Sequence, residues 1–270
     1  MDAYVLKVNK QGDTLWTRTL GGEKEDRALR AIETRDKHYL VVGQTASWGK
    51  GNSDGLLYKL DTSGKILWQK TFGGELLDRT FSLAELSNGD LIVSGVTNAN
   101  YPENSDILIL RVSKDGDLIW EKKIASPKGD ISHAMILKDR NSFLSIGYSA
   151  EFSFPLSDPL VIHFDEDGKV IGKYTVKTGA DLRLMDGYLA ASGELIAAGF
   201  VRDNNNSTWD PLLAVLDFKT GKFDLTRILA GGENDEIYHL TPLANKKVML
   251  VGHSYSSSNK KGDILLIEVP

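Results

Sequence analysis

The feature that most constrains this chain is a period. Asp2, Asp54, Asp106, Asp158, Asp210 and Asp263 each precede an apolar alternation, at spacings of 52, 52, 52, 52 and 53 residues. A turn glycine keeps the same beat at Gly12, Gly64, Gly116, Gly168 and Gly221, and a second glycine series runs through Gly43, Gly95, Gly147, Gly199 and Gly252. Self-similarity on this scale marks a repeat architecture, in which no unit buries its core alone and each stacks on its neighbours. The extra residue of the last spacing falls in the turn at 217–221, where an insertion disturbs least.

Within the unit that begins at Asp54, GLLYKLD, ILWQKTF, RTFSLAEL and LIVSGVT alternate apolar and polar residues at period 2, and the turns TSGK and SNGD punctuate them. Four strands in about 50 residues describe a propeller blade, and the 3.6-residue period of a helical repeat is absent. The expected fold is therefore all-β: a single β-propeller domain over residues 1–270 with units starting at 2, 54, 106, 158 and 210. Five blades are expected, and a fragment of a six- to eight-bladed propeller is the alternative.

With RTFSLAEL innermost, followed outward by LIVSGVT, DILILRV and DLIWEKK, the short Gly/Asp turns share one face. The GGxxxD loops and the long loops before each Asp share the other. That second face is expected to bind, since function on rigid scaffolds sits on variable loops, and the turn face is expected to be structural. Five units supply twenty strands, and DILLIEVP at 263–269 adds a twenty-first. Either the hairpin 2–20 completes the blade begun by residues 236–253, leaving 263–269 as an extra edge strand, or the chain is a piece of a longer propeller. An unclosed sheet edge would promote self-association.

Composition removes several functions. With 41% hydrophobic and 26% charged residues the chain is an ordinary globular one, and its net charge of -5 contains no basic block to attract nucleic acid or a membrane surface. The absence of cysteine excludes disulfides, thiolate metal sites and cysteine nucleophiles while leaving the compartment open. No apolar run reaches membrane-spanning length, so no membrane insertion is expected, and residues 1–12 carry no signal-peptide pattern.

The segments KQGDTLW, DTSGKILW and KDGDLIW place a glycine four residues before Trp16, Trp68 and Trp120. They resemble the tryptophan-docking motif of quinoprotein-type propellers and the tandem repeats of bacterial extracytoplasmic β-propeller proteins. The resemblance covers nearly the whole chain. It implies that each tryptophan packs between neighbouring blades, and that the parent protein is periplasmic, cell-surface (lipoprotein-like) or secreted. Gly172 and Leu225 stand at the tryptophan position in the fourth and fifth repeats, so the docking contact is expected to be degraded there. Catalytic quinoproteins share only the blades, and their eight-blade count and cofactor residues have no match here; no cofactor is predicted.

One acid per repeat stands at the start of the inner strand: Asp26, Asp78 and Asp130 at 52-residue spacing, with Asp181 and Asp235 close to register. A ring of such carboxylates is the metal reading, with Ca²⁺ on the channel axis, because hard cations want several oxygens. The structural reading is that each holds nearby backbone N–H groups of its turn, since a motif present in every blade serves every blade.

Recognition should instead break the symmetry. That criterion selects His133, Arg183, Tyr238 and His239 near the inner strands, with Asp186, and Trp48, Tyr101 and Trp209 in the long loops, with Phe152, Phe154 and Tyr255. Aromatics beside Asn, Asp and Arg, as in RDNNNSTW at 202–209, suit stacking on a sugar or anchoring a protein. The expected function is a non-enzymatic binding or scaffolding module for a protein or glycan. The alternative is a carbohydrate-active enzyme using two acids such as Asp26 and Asp130.

Overall fold

The computed structural model describes residues 1–97, 105–125, 128–150, 156–203, 208–228, 234–244, 247–255 and 262–270. All regular structure in these residues is β-strand. A first hairpin pairs β1 (Ala3–Val8) with β2 (Thr14–Leu20). Four blades follow: β3 (Asp26–Glu33), β4 (Tyr39–Thr45), β5 (Asp54–Leu60), β6 (Ile66–Phe72); β7 (Arg79–Glu85), β8 (Leu91–Thr97), β9 (Asp106–Val112), β10 (Leu118–Ile124); β11 (Asp130–Leu137), β12 (Ser142–Ser149), β13 (Asp158–Asp165), β14 (Val170–Thr175); and β15 (Ala180–Leu189), β16 (Leu195–Asp203), β17 (Asp210–Asp217), β18 (Lys222–Arg227). The fifth blade has three strands, β19 (Asp235–Pro242), β20 (Val248–Tyr255) and β21 (Gly262–Val269).

Each four-stranded sheet runs in chain order from its first strand to its fourth, the antiparallel meander of a propeller blade, so the fold is an all-β propeller with five blades. The expected assembly of the fifth blade is corrected in one respect. The strand at 263–269 is no extra edge: β21 pairs with β20 along its whole length, from Val248 against Val269 to Tyr255 against Gly262, and takes the third place in the blade. The hairpin β1–β2 is a separate two-stranded sheet. Register explains the choice, because Asp263 stands in the same place as Asp54 and Asp210 and carries the same apolar alternation.

The chain divides into two compact units, residues 1–135 and 136–270. In the first, blades join through two-sided burial of the middle strands. Leu40, Val42, Leu57 and Phe72 of one blade meet Leu83, Val93, Leu108 and Leu110 of the next. The β1–β2 hairpin packs on its neighbour in the same way, through Ala3 and Val5 against Leu56, Tyr58 and Leu60. In the second unit, Ala198, Leu213 and Ile237 form the corresponding seam with Leu250, Leu265 and Ile267.

The tryptophans rivet these seams at their outer ends. A Cβ on Gly64 would lie 2.9 Å from the Trp16 ring, and one on Gly116 would lie 3.2 Å from Trp68. Each indole thus rests on the turn glycine of the following repeat. Trp16 also donates its indole N–H to the Thr62 carbonyl at 3.1 Å. The fourth repeat corrects the expected loss of docking. A side chain at Gly172 would strike Tyr174, whose ring packs edge-on against Phe218 with centroids 5.3 Å apart and approaches Gly221. Residues two apart on a strand share a face, so Tyr174 fills the place that Gly172 vacates.

The inner strands carry a β-bulge. Pairing skips one residue between Ala28 and Arg30, Thr80 and Ser82, Leu184 and Asp186, and Ile237 and His239. The bulge explains the second glycine series. A Cβ on Gly43, Gly95, Gly199 or Gly252 would lie 1.8–1.9 Å from the carbonyl oxygen of Arg27, Arg79, Arg183 or Glu236, which leans into the neighbouring strand. Bulges re-aim side chains. Here the re-aimed residues are Leu29, Phe81, Met185 and Tyr238.

Candidate functional site

Asp26 and Asp78 of the repeated acids hold the loops beside them. Asp26 Oδ2 accepts the Gly22 N–H at 2.8 Å and the Ser47 hydroxyl at 2.7 Å, and Asp78 Oδ2 accepts the Gly74 N–H at 2.7 Å. Asp54 accepts the Gly51 N–H at 3.0 Å, and burial, with the Asp78 charge adding to it, pushes its carboxyl above the usual range. Asp130 and Asp235 are buried at the same place in their blades. A calcium ion needs several convergent oxygens, and among the described residues no three Asp, Glu or His side chains converge to hold one. The described residues do not form a site for that group.

Asp181 departs from this series. Counting 52 residues from Asp130 leads to Leu182, and it is Leu182 whose N–H meets the Ser157 carbonyl, as the N–H groups of Asp78 and Asp130 meet those of Ser53 and Ser105. A slip of one residue on a strand sends a side chain to the opposite face. Asp181 therefore leaves its loop and faces Arg202, its partner across β15 and β16. Its Oδ2 lies 3.1 Å from Arg202 Nη2 and 3.3 Å from Arg183 Nη2, with the carboxylate only 2% exposed.

Trp209 is a second departure. It stands where Ser53, Ser105 and Ser157 stand in earlier repeats, all three buried. Its main chain keeps their role, accepting the Asp235 N–H at 2.9 Å. Its indole instead lies over the Asp181–Arg202 sheet face. The Arg202 and Arg183 guanidinium carbons are 4.3 and 4.9 Å from the Trp209 ring, and Arg183 is also 5.2 Å from the Tyr148 ring. Phe200, opposite Arg183 in the sheet, meets Trp209 edge-on at 5.0 Å. Cation–π contacts of this kind hold long side chains in one geometry.

The aromatic run continues on the fifth blade. Phe200 lies 5.9 Å from Tyr238, Tyr238 lies 5.4 Å from His253, and His253 lies 6.2 Å from Tyr255, each edge-to-face. Tyr238, aimed outward by its bulge, is 41% exposed and Tyr255 40%. Burial and a hydrogen bond to Glu236 hold the Tyr238 phenol protonated well above the ordinary range, so it donates to that carboxylate. The next residue, His239, pairs with buried Asp186 across the two inner strands.

The structure thus brings together six of the residues singled out by broken symmetry: Arg183, Asp186, Trp209, Tyr238, His239 and Tyr255. Trp48 lies in the first unit, folded back over the Gly22 loop so that a Cβ on Gly22 would sit 3.0 Å from its ring. His133, also there, stacks on Phe81 with centroids 5.1 Å apart. Tyr101, Phe152 and Phe154 lie outside the described residues. Sequence reasoning missed Tyr148, Phe200, Arg202 and His253. A signal for three of them is present: Tyr148, Phe200 and His253 occupy one repeat position, held by Gln44 and Val96 in the first two blades.

Among the described residues, a cleft opens at the turn loops of each unit. One of about 320 Å³ in the first unit is lined by Thr34, Asp36, Lys59, Glu85 and Lys114, and one of about 350 Å³ in the second unit by Lys138, Glu194, Asp217 and Phe218. Both recur at the same junction of turn loops, and in the first Lys59 is tied to Asp36 at 3.0 Å.

No family model matches the chain, and no curated protein matches it in sequence. Among solved structures it is similar to a protein of unknown function from Bacteroides caccae, with a TM-score of 0.61 and 13% identity over 99% of this chain and 89% of that one. It is also similar to the endo-arabinase of Bacteroides thetaiotaomicron VPI-5482, with a TM-score of 0.51 and 10% identity over 90% of this chain and 94% of that one. A puromycin hydrolase gives a TM-score of 0.56 at 10% identity, over 95% of this chain and 38% of the hydrolase. At such identities the likeness is one of fold alone: this chain has the propeller architecture those proteins share.

Proposed function

We propose that this protein is a non-enzymatic recognition module that binds a glycan on the long-loop face of its second unit. The observation that carries the reading is the Trp209 clamp, in which an indole replaces a buried serine and contacts two arginines beside the half-exposed Tyr238 and Tyr255. Sugars offer C–H faces that stack on aromatic rings and hydroxyls that need both donors and acceptors. The clamp supplies guanidinium donors, and Glu236 supplies an acceptor. Rigid aromatics with Arg are the residues on which binding energy concentrates. The exposed aromatic surface is two tyrosine rings set among charged groups, and Ile264, the cross-strand partner of His253, is exposed beside them on β21.

A hydrolytic reading needs two carboxylates open to substrate. Asp26 and Asp130 are buried, and one Asp26 oxygen is held by its own loop. Recognition without turnover is what the described groups support.

Trp209→Ser restores the residue of the preceding repeats and so tests the site with little risk to the fold. Calorimetric titration with a panel of plant and bacterial oligosaccharides should give binding by the native protein and at least a roughly tenfold loss in the variant. Equal affinity in the two proteins, or release of shortened sugar by the native one, would remove this reading.

A further inference from the structure

The clamp also selects among glycans. We infer that its ligand is an uncharged oligosaccharide, an inference that rests on the carbohydrate reading of this site. Among the described residues, the arginines of this face are already matched. Arg183 and Arg202 share Asp181, and Arg227, on the neighbouring β18, is held by Asp210 at 2.7 Å and by Asp203. Glu236 accepts from Tyr238, and His239 is paired with Asp186. Arg183, Arg202 and Arg227 stand against Asp181, Asp186, Asp203, Asp210 and Glu236, so these groups carry no excess positive charge.

A uronate or sulfated sugar would have to draw the guanidinia away from Asp181. That would leave a carboxylate 2% exposed without its counter-charges, a state less stable than the new pair can offset. A hydroxyl makes no such demand. It accepts from the outer N–H groups of a guanidinium or donates to a carboxylate while the Asp181 contacts stay in place, and planar charged groups make the stronger, more directional bonds of this kind.

The geometry also speaks to length. Tyr238, His253 and Tyr255 follow one another with centroids 5.4 and 6.2 Å apart, a run longer than a single sugar ring. The outer two are both about 40% exposed, at either end of the run. A short oligosaccharide can therefore touch Trp209 and Tyr238 at one end and Tyr255 at the other, whereas a monosaccharide reaches only part of the run.

The test is calorimetric titration of the full chain with two sets of oligosaccharides, at low and at high salt. Arabino-, galacto-, manno- and gluco-configured oligomers form the uncharged set, and oligogalacturonates and sulfated galactans the acidic one. An uncharged oligomer should bind, its affinity should change less than about twofold with salt because no ion pair forms, and Tyr255→Ala should weaken it about tenfold. Tyr255 is 40% exposed, so that variant leaves the core intact. Salt-sensitive binding of the acidic set alone would overturn the inference while leaving carbohydrate recognition standing. No binding by either set would overturn both.

Discussion

Gly95→Ala is expected to lower the unfolding free energy by about 3 kcal/mol, at the upper end of what overpacking costs. The added methyl would lie 1.9 Å from the Arg79 carbonyl oxygen, a backbone atom that cannot rotate away. To make room, β7 would have to retreat from β8, at the point where its bulge sets the direction of Phe81. Gly12→Ala is the control. Gly12 has φ +90 and no atom within 4 Å of where the methyl would stand, so only backbone strain is added, about 1 kcal/mol. Urea denaturation of the two variants separates the mechanisms, and equal destabilisation would show that the close approach at the bulge is not what fixes this glycine. Gly199→Ala extends the point to function, because the carbonyl it would displace belongs to Arg183.

The glycines also show why the fold is legible in the sequence. Gly43, Gly95, Gly199 and Gly252 are fixed by one steric condition that recurs from blade to blade, and the tryptophans by one seam. A constraint imposed many times leaves a period, and a period can be read without coordinates. The strand order within each blade follows from it directly. Where a repeat solves its packing by a different residue, the period misleads. Gly172 reads as a lost contact, yet Tyr174 restores it from the same face of the strand.

The candidate site is half legible for the same reason. Trp209, Tyr238 and His239 stand out because they interrupt a pattern, and Tyr101 stands out equally but lies outside the described residues. Arg183 is subtler. It stands in the repeat position of Arg27 and Arg79, so its identity is not what distinguishes it. Its surroundings are, since Trp209 and Tyr148 flank it and Asp181 anchors it. Asp181 reads as one more acid of the series, because a spacing of 51 looks like a spacing of 52. On a strand that single residue is the difference between two faces, and only the pairing of Asp181 with Arg202 reveals which face it takes.

Asp181→Ala should therefore behave unlike the loss of any other acid in the series. Asp181 carries charge-assisted contacts to two guanidinia from a buried position, while Arg183 and Arg202 remain 30% and 38% exposed and partly solvated. That balance puts the expected cost at about 2 kcal/mol of stability. Because the three side chains act as one group, the costs should not add: a double-mutant cycle of Asp181→Ala with Arg202→Met should show coupling of about 1 kcal/mol. Binding should change in kind as well as strength. With its counter-charge gone, the clamp presents two unmatched cations beside Trp209, so the variant should lose affinity for uncharged sugar and gain a salt-sensitive affinity for oligogalacturonate. Zero coupling, or an unaltered preference between the two classes of sugar, would mean that Asp181 neither organises the arginines nor sets the charge of the site.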